Sequence, residues 1–280
     1  MPAQQQLLQI LERKIQQDQL ILPTLPDVAL TVRRRAAEPN VSLQEMADVI
    51  AQDPALAARM IKVANSAFMG RSIKVSTLNQ AVTRIGLSQI RNIAIAMALE
   101  QVFVSKHKQV QQQLDLLWQN SVATACSAMA CLAYYQGIEP RSGLNKDVLC
   151  LMALLHNIGA LPILSEAERE SQLLGDPRFL MHLTTDLATE VSLRILFAWG
   201  FPEEFHQVAQ RWQKLQPETP GPGYADFIRL ALIAADGYRD KARQQRLVEY
   251  YVKAQLVPQV DFMQHPDIAK VYQDVQSVFR

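Results

Sequence analysis

The chain has 280 residues, 49% hydrophobic and 20% charged, which is ordinary for a globular protein and enough for one large core or two small ones. Its 28 Lys and Arg against 27 Asp and Glu leave a formal charge of +1, so neither nucleic-acid steering nor attraction to an anionic membrane is implied. Three cysteines, Cys126, Cys131 and Cys150, are odd in number and sit among Ala, Leu and Met; they read as reduced, buried thiols and not as a disulfide framework.

From the N-terminus, Met1 to Lys14 lacks the basic-then-apolar order of a secretory signal, because Gln4, Gln5, Gln6, Gln9 and Glu12 interrupt it. Export is not expected, and a cytoplasmic location is. Arg33-Arg34-Arg35, the one compact basic cluster, reads as a solvated helix face; the competing reading, a nucleic-acid contact, predicts affinity that collapses with salt. Apolar spacing is helical along nearly the whole chain, which predicts an all-α fold. Ser42 to Glu45 and Ser165 to Glu168 both have capping-box spacing, and Asp53-Pro54 starts a helix running through Leu56, Met60, Val63 and Ala67. A helix presenting Leu78, Ala81, Val82 and Ile85 should stop at Gly86 in a left-handed conformation, after which Ser88 caps a longer helix through Ile90, Ile93, Met97 and Val104.

Beyond a polar linker near Ser105 to Gln113, Trp118, Val122, Ala125, Met129 and Leu132 form one stripe, and Val148 to Leu155 is apolar all round, as a central helix would be. Leu116 to Ile138 and Val148 to Ser165 lack formal charge, but internal amides, hydroxyls, His156 and Pro162 mark them as buried core helices and not membrane spans. Further helices are expected over Asp186 to Trp199, Glu203 to Leu215 and Ala225 to about Leu256. The chain divides for description into residues 1–105 and 106–280, taken as parts of one continuous module.

The residues most suggestive of a site are His156-Asn157, a polar pair ending an apolar helix in Leu154-Leu155-His156-Asn157-Ile158-Gly159. Such a pair must find partners, since an unpaired buried polar group costs roughly 1–3 kcal/mol; it is either a satisfied core pair or a site. The segment resembles the Leu-Leu-His-Asp-Ile-Gly signature of the HD superfamily of metal-dependent phosphohydrolases. A narrower resemblance, to the HDOD (HD-related output domain) family, is carried by Leu22-Pro23-Thr24-Leu25-Pro26, Asp53-Pro54-Ala55-Leu56, Ala64-Asn65-Ser66-Ala67, Ser76 to Gly86 and Leu117-Trp118-Gln119-Asn120-Ser121, in that order.

That resemblance implies a helical bundle, HD-like in its C-terminal half with an added N-terminal helical half, used in bacterial signal transduction through partners and not substrates. It also implies where metal ligands would lie. The early His of the superfamily is Asn120 here, His156 is retained, Asn157 stands where Asp is usual, and the late Asp aligns loosely with Asp236. The extra His positions of two-metal members read Ala188 and Arg211-Trp212. Amides are weak substitutes for carboxylate or imidazole on a divalent ion, so neither a metal nor another cofactor is expected. The other histidines, His107, His182, His206 and His265, read as scattered surface residues, and no phosphate loop, nucleophile elbow or Cys-x-x-Cys pair is present.

The expectation is a non-catalytic signalling module that binds a protein partner or a small ligand, with no nucleic acid and no membrane. Asn120, His156, Asn157 and Asp236 are its vestigial metal positions and candidate ligand pocket. The alternative is a metal-dependent phosphohydrolase acting on a nucleotide or another phosphate ester through His156 and Asp236, helped by Asp186 or Glu190. No apolar stripe marks a dimer face, so the oligomeric state is open.

Overall fold

The computed structural model describes residues 3–36, 38–66, 69, 73–169 and 177–279. Among them every regular element is helical: α1 (Ala3–Gln16), α2 (Asp27–Ala36), α3 (Leu43–Ile50), α4 (Pro54–Ala64), α5 (Leu78–Ile85), α6 (Leu87–Ala98), α7 (Lys108–Ile138), α8 (Lys146–Leu155), α9 (Ala160–Arg169), α10 (Pro177–Ala198), α11 (Glu203–Arg211), α12 (Tyr224–Ala234), α13 (Lys241–Lys253) and α14 (Pro266–Phe279). The all-α class is what the apolar spacing predicts.

Local chemistry sets many of the boundaries. Ser42 Oγ accepts the Glu45 N–H at 3.2 Å while Glu45 Oε2 accepts the Ser42 N–H at 2.8 Å, closing the expected capping box of α3. Asp53 Oδ1 takes the N–H groups of Ala55 and Leu56 at 2.9 and 3.0 Å, and Pro54 opens α4 where its missing donor costs nothing. Thr77 and Gln80 form a further box on α5 that the sequence reading passes over. Gly86 does end α5 with a positive φ of 84°, but its ψ of 153° places it in the glycine-only extended region and not in the left-handed helical one.

Other expectations are corrected. Ser165 does not cap a helix: α9 begins at Ala160, directly after a turn, with Pro162 in its first turn where backbone donors have no helical partner anyway. Glu168 therefore lies on a helix and accepts the Ser105 hydroxyl at 2.7 Å. Val104 does not continue the apolar helix; α6 gives way to a 3-10 turn over Leu99–Val102, and Val104 is 70% exposed. The single helix expected from Ala225 to about Leu256 is two, because Asp236 at φ 56° and the Gly237 N–H, bonded to the Leu232 carbonyl at 2.8 Å, terminate α12. His107, His206 and His265 are half-buried, not surface residues; His265 packs edge-on against Tyr134. Ala67 and the side chains of Ser88, His182 and Asp186 lie outside the described residues.

The helices group into two compact units, each assembled from separate stretches of chain: residues 1–25, 101–121 and 154–211 in one, and 26–100, 122–153 and 212–280 in the other. In the first, α10 packs on α9 and α11, and α1 lies against α9 and α10. The buried Glu166 carboxylate is held there by Lys14 and, at 3.1 Å, by Arg169. In the second, α2, α3, α4, α5 and α6 enclose a core built on Val32, Met46, Ile50, Met60, Val82 and Ile90, with Val278 of α14 joining it. Cys126, Cys131 and Cys150 are buried free thiols, and burial pushes the Cys126 thiol up to about 12. One stretch, Lys146–Arg169, is long and apolar enough to cross a membrane by length and composition, and 83% of its most apolar window is buried inside the protein.

Candidate functional site

The His156-Asn157 pair sits in the turn between α8 and α9, in the first unit. Apolar residues on either side pull this turn inward: Leu154, Leu155, Ile158 and Ala160 are each at most 1% exposed. Gly159 permits the approach. A Cβ there would lie 2.2 Å from the Ala188 carbonyl oxygen and 2.6 Å from the Ser192 nitrogen of α10, both backbone atoms that cannot swing aside. The Gly159 N–H instead donates to Ser192 Oγ at 2.9 Å, so turn and helix are in direct polar contact. Ala188, the aligned place of a second-metal histidine, is thus where backbone packs on backbone.

His156 is buried, with 6% of its surface exposed, and Asn157 is half-buried. The Asn157 Oδ1 is cut off from solvent and has no hydrogen-bond partner, which is costly for an amide oxygen unless something else meets it. Asn120 is also in the first unit, exposed on α7. Asp236 belongs to the other unit, in the exposed turn after α12, where its carboxylate meets Lys241 Nζ at 2.5 Å and is held below the usual carboxylate range by that ammonium. Its local role is that of a helix-ending residue. Glu190 is exposed and bonded to Arg194 at 2.8 Å. Among the described residues no group of three or more His, Cys, Asp and Glu side chains is placed to hold a metal ion.

The motifs of the second unit have structural work. Asn65 clamps Val75 from both sides, its Oδ1 accepting the Val75 N–H at 2.8 Å and its Nδ2 donating to the Val75 carbonyl at 2.7 Å. Arg84 donates to the carbonyls of Ala64 and Ile73 at 3.0 and 2.5 Å, tying α5 to the same connection. A second polar cluster is largely interior. Arg229, 0% exposed, donates to Asp226 at 2.8 Å and to Glu218 at 2.9 Å, while Asp226 also accepts from Tyr251 Oη at 2.7 Å. Burial raises the Asp226 carboxyl, against the pull of those donors, so this network fastens the 216–223 loop to α12 and α13 and offers no open coordination.

Sequence reasoning missed Asp147. Set beside Lys146 at the start of α8, it looks like an ordinary first-turn acid on a helix that otherwise turns apolar. The structure leaves it 6% exposed, with no hydrogen bond or ion pair to its carboxylate among the described residues, and burial pushes it up to about 6 despite the neighbouring ammonium. No sequence signal separates it from a solvated acid, because which side of α8 faces the core depends on α4, α6 and α14.

The family model for the HDOD domain matches residues 22–215. A crystal structure from Shewanella amazonensis SB2B, named "Putative metal-dependent phosphohydrolase", is 36% identical and superimposes with a TM-score of 0.93 over 100% of both chains. A second, from Marinobacter aquaeolei VT8 and named "Putative signal transduction protein", is 19% identical with a TM-score of 0.60, covering 99% of this chain and 66% of that one; it shows the shared fold. An uncharacterized protein of Treponema pallidum (strain Nichols) is 27% identical over 201 residues, which are 70% of this chain but 36% of that protein's length. Motif order, helical architecture and full-length similarity agree, and the chain belongs to the HDOD domain family.

Proposed function

We propose that the protein is a non-catalytic bacterial signal-transduction module that works in the cytoplasm by binding a signalling protein or a small ligand. The observation that carries this reading is Asn157: at the position where an HD hydrolase places its metal-binding Asp, this chain has an amide whose oxygen is buried without a partner beside the buried His156. An uncharged amide and one imidazole do not fit a hard divalent ion, which needs anionic oxygen to offset the cost of leaving water. Asn120, His156, Asn157 and Asp236 are the vestigial positions, and the hydrogen-bonding capacity that outlasts the metal chemistry suits a polar ligand. The name of the Marinobacter protein supports a signalling role.

The name of the Shewanella protein favours a second reading, a metal-dependent phosphohydrolase acting on a nucleotide or another phosphate ester. One experiment separates the two. Protein purified with manganese, iron or magnesium present is assayed for bound metal and screened for phosphatase and phosphodiesterase activity, alongside His156→Ala. Absence of stoichiometric metal and of turnover supports the binding module; metal with activity lost in His156→Ala refutes it. A pull-down from the native cell then identifies the partner.

A further inference from the structure

The second unit carries an open groove of about 360 Å³ lined by Met69, Gln89, Gln136, Leu144, Asn145, Lys146 and Asp147. Its size falls at the lower end of small-molecule sites. Its wall is mostly polar, and the donors and acceptors are unevenly committed. Asn145 Oδ1 is used to cap α8, accepting the N–H groups of Asp147 and Val148 at 2.8 and 3.1 Å. Gln136 Nε2 is used on the Leu144 carbonyl at 2.7 Å, which leaves Gln136 Oε1 as an acceptor. The Asp147 carboxylate is the exceptional group: 6% exposed, without a partner, and shared between this groove and a small apolar cavity of about 30 Å³ behind it.

The Asp147 side chain is buried on its α8 side, and its carboxylate reaches the groove without a hydrogen bond from another described residue. Nothing in the packing of α8 requires an acid here: the cavity walls supplied by Val63, Ile93, Met97, Met129 and Val278 are apolar. N–H donors of a bound molecule can reach this carboxylate from the groove. A carboxylate is best met by two parallel N–H groups. Lys146, half-buried at the same wall, and Gln89 supply donors for an oxygen on the ligand next to that edge.

We propose that this groove binds a small planar molecule presenting a paired N–H edge, as a guanidinium group or the N–H face of a guanine base does, with Asp147 as its acceptor. None of its lining residues belongs to the His156 turn, so its failure would leave the signalling-module reading untouched. Full-length protein is titrated calorimetrically with guanosine, L-arginine and adenosine. Guanosine or arginine binds with a Kd between about 1 μM and 1 mM, and which of the two does so tells the neutral base from the cation. Adenosine, which sets an acceptor nitrogen opposite the carboxylate, does not bind. Asp147→Asn weakens binding at least about tenfold, the loss expected when an ionic bidentate contact becomes a neutral one. Gln136→Ala, at a half-buried position whose loss leaves the core intact, weakens it by a smaller factor. Silence of both guanosine and arginine up to about 10 mM, equal binding of adenosine, or unchanged affinity in a folded Asp147→Asn protein overturns the proposal.

Discussion

Replacing Asp147 by Asn tests the energetics of that buried acid directly. Burial pushes its carboxyl from 3.8 to about 6. A tenfold change in proton affinity is worth about 1.4 kcal/mol, so carrying the ionised group costs the fold about 2–3 kcal/mol at neutral pH. The folded protein holds this proton more tightly than the unfolded chain does. The contribution of Asp147 therefore favours folding fully below pH 3.8 and is lost as the pH rises through about 6. Lys146 is the charged neighbour, itself shifted down by burial, and Cys150 is the other titratable group on the cavity wall; α4, α6, α7 and α14 present apolar groups and Asn92 there. Asn cannot ionise, so the stability of Asp147→Asn relative to the natural protein should be flat at low pH and climb by about 2 kcal/mol between roughly pH 4 and 7. Equilibrium urea unfolding followed by far-ultraviolet circular dichroism at a series of pH values measures that difference, with every other titrating group cancelling between the two proteins. A difference that stays constant across the series refutes the claim that the carboxylate is buried and unpartnered.

Three further outcomes follow from the geometry. Gly159→Ala drives a methyl group into the backbone of α10 and should cost about 3 kcal/mol, the upper end of overpacking, read as a lower thermal midpoint, while Ser192→Ala, which removes one hydrogen bond, should cost about 1 kcal/mol. Asp226→Ala strips the interior Arg229 of a counter-charge and Tyr251 of its acceptor; the loss should reach about 3–5 kcal/mol, whereas breaking the exposed Arg35 and Glu38 pair should cost under about 1 kcal/mol in the same melt. Asn65→Ala removes both bonds to Val75 and should speed amide hydrogen exchange over residues 73–76, with α3 protected as before.

The division between what is local and what is tertiary explains which expectations held. Ser42, Asp53 and Gly86 act within a few residues of themselves, through capping and allowed dihedrals, so the sequence alone places the starts of α3 and α4 and the end of α5. Ser165 carries the same local signal but loses to a helix already begun at Ala160, and the break at Asp236 has a weak local signal that an apolar pattern running across it hides. The retained His156 and the amide at Asn157 were legible as residue types, since their order along the chain is the motif. Their surroundings were not.

By itself, then, the sequence determined the all-α class, the order of the family motifs and the loss of carboxylate at position 157, because periodicity, capping and residue chemistry are properties of neighbouring residues. Only the tertiary structure decided that Gly159 must stay small, that Arg229 lies wholly inside, and that Asp147 is buried. Each of those depends on atoms brought in from distant parts of the chain, and burial, the quantity that sets their cost, does not exist until the helices have packed.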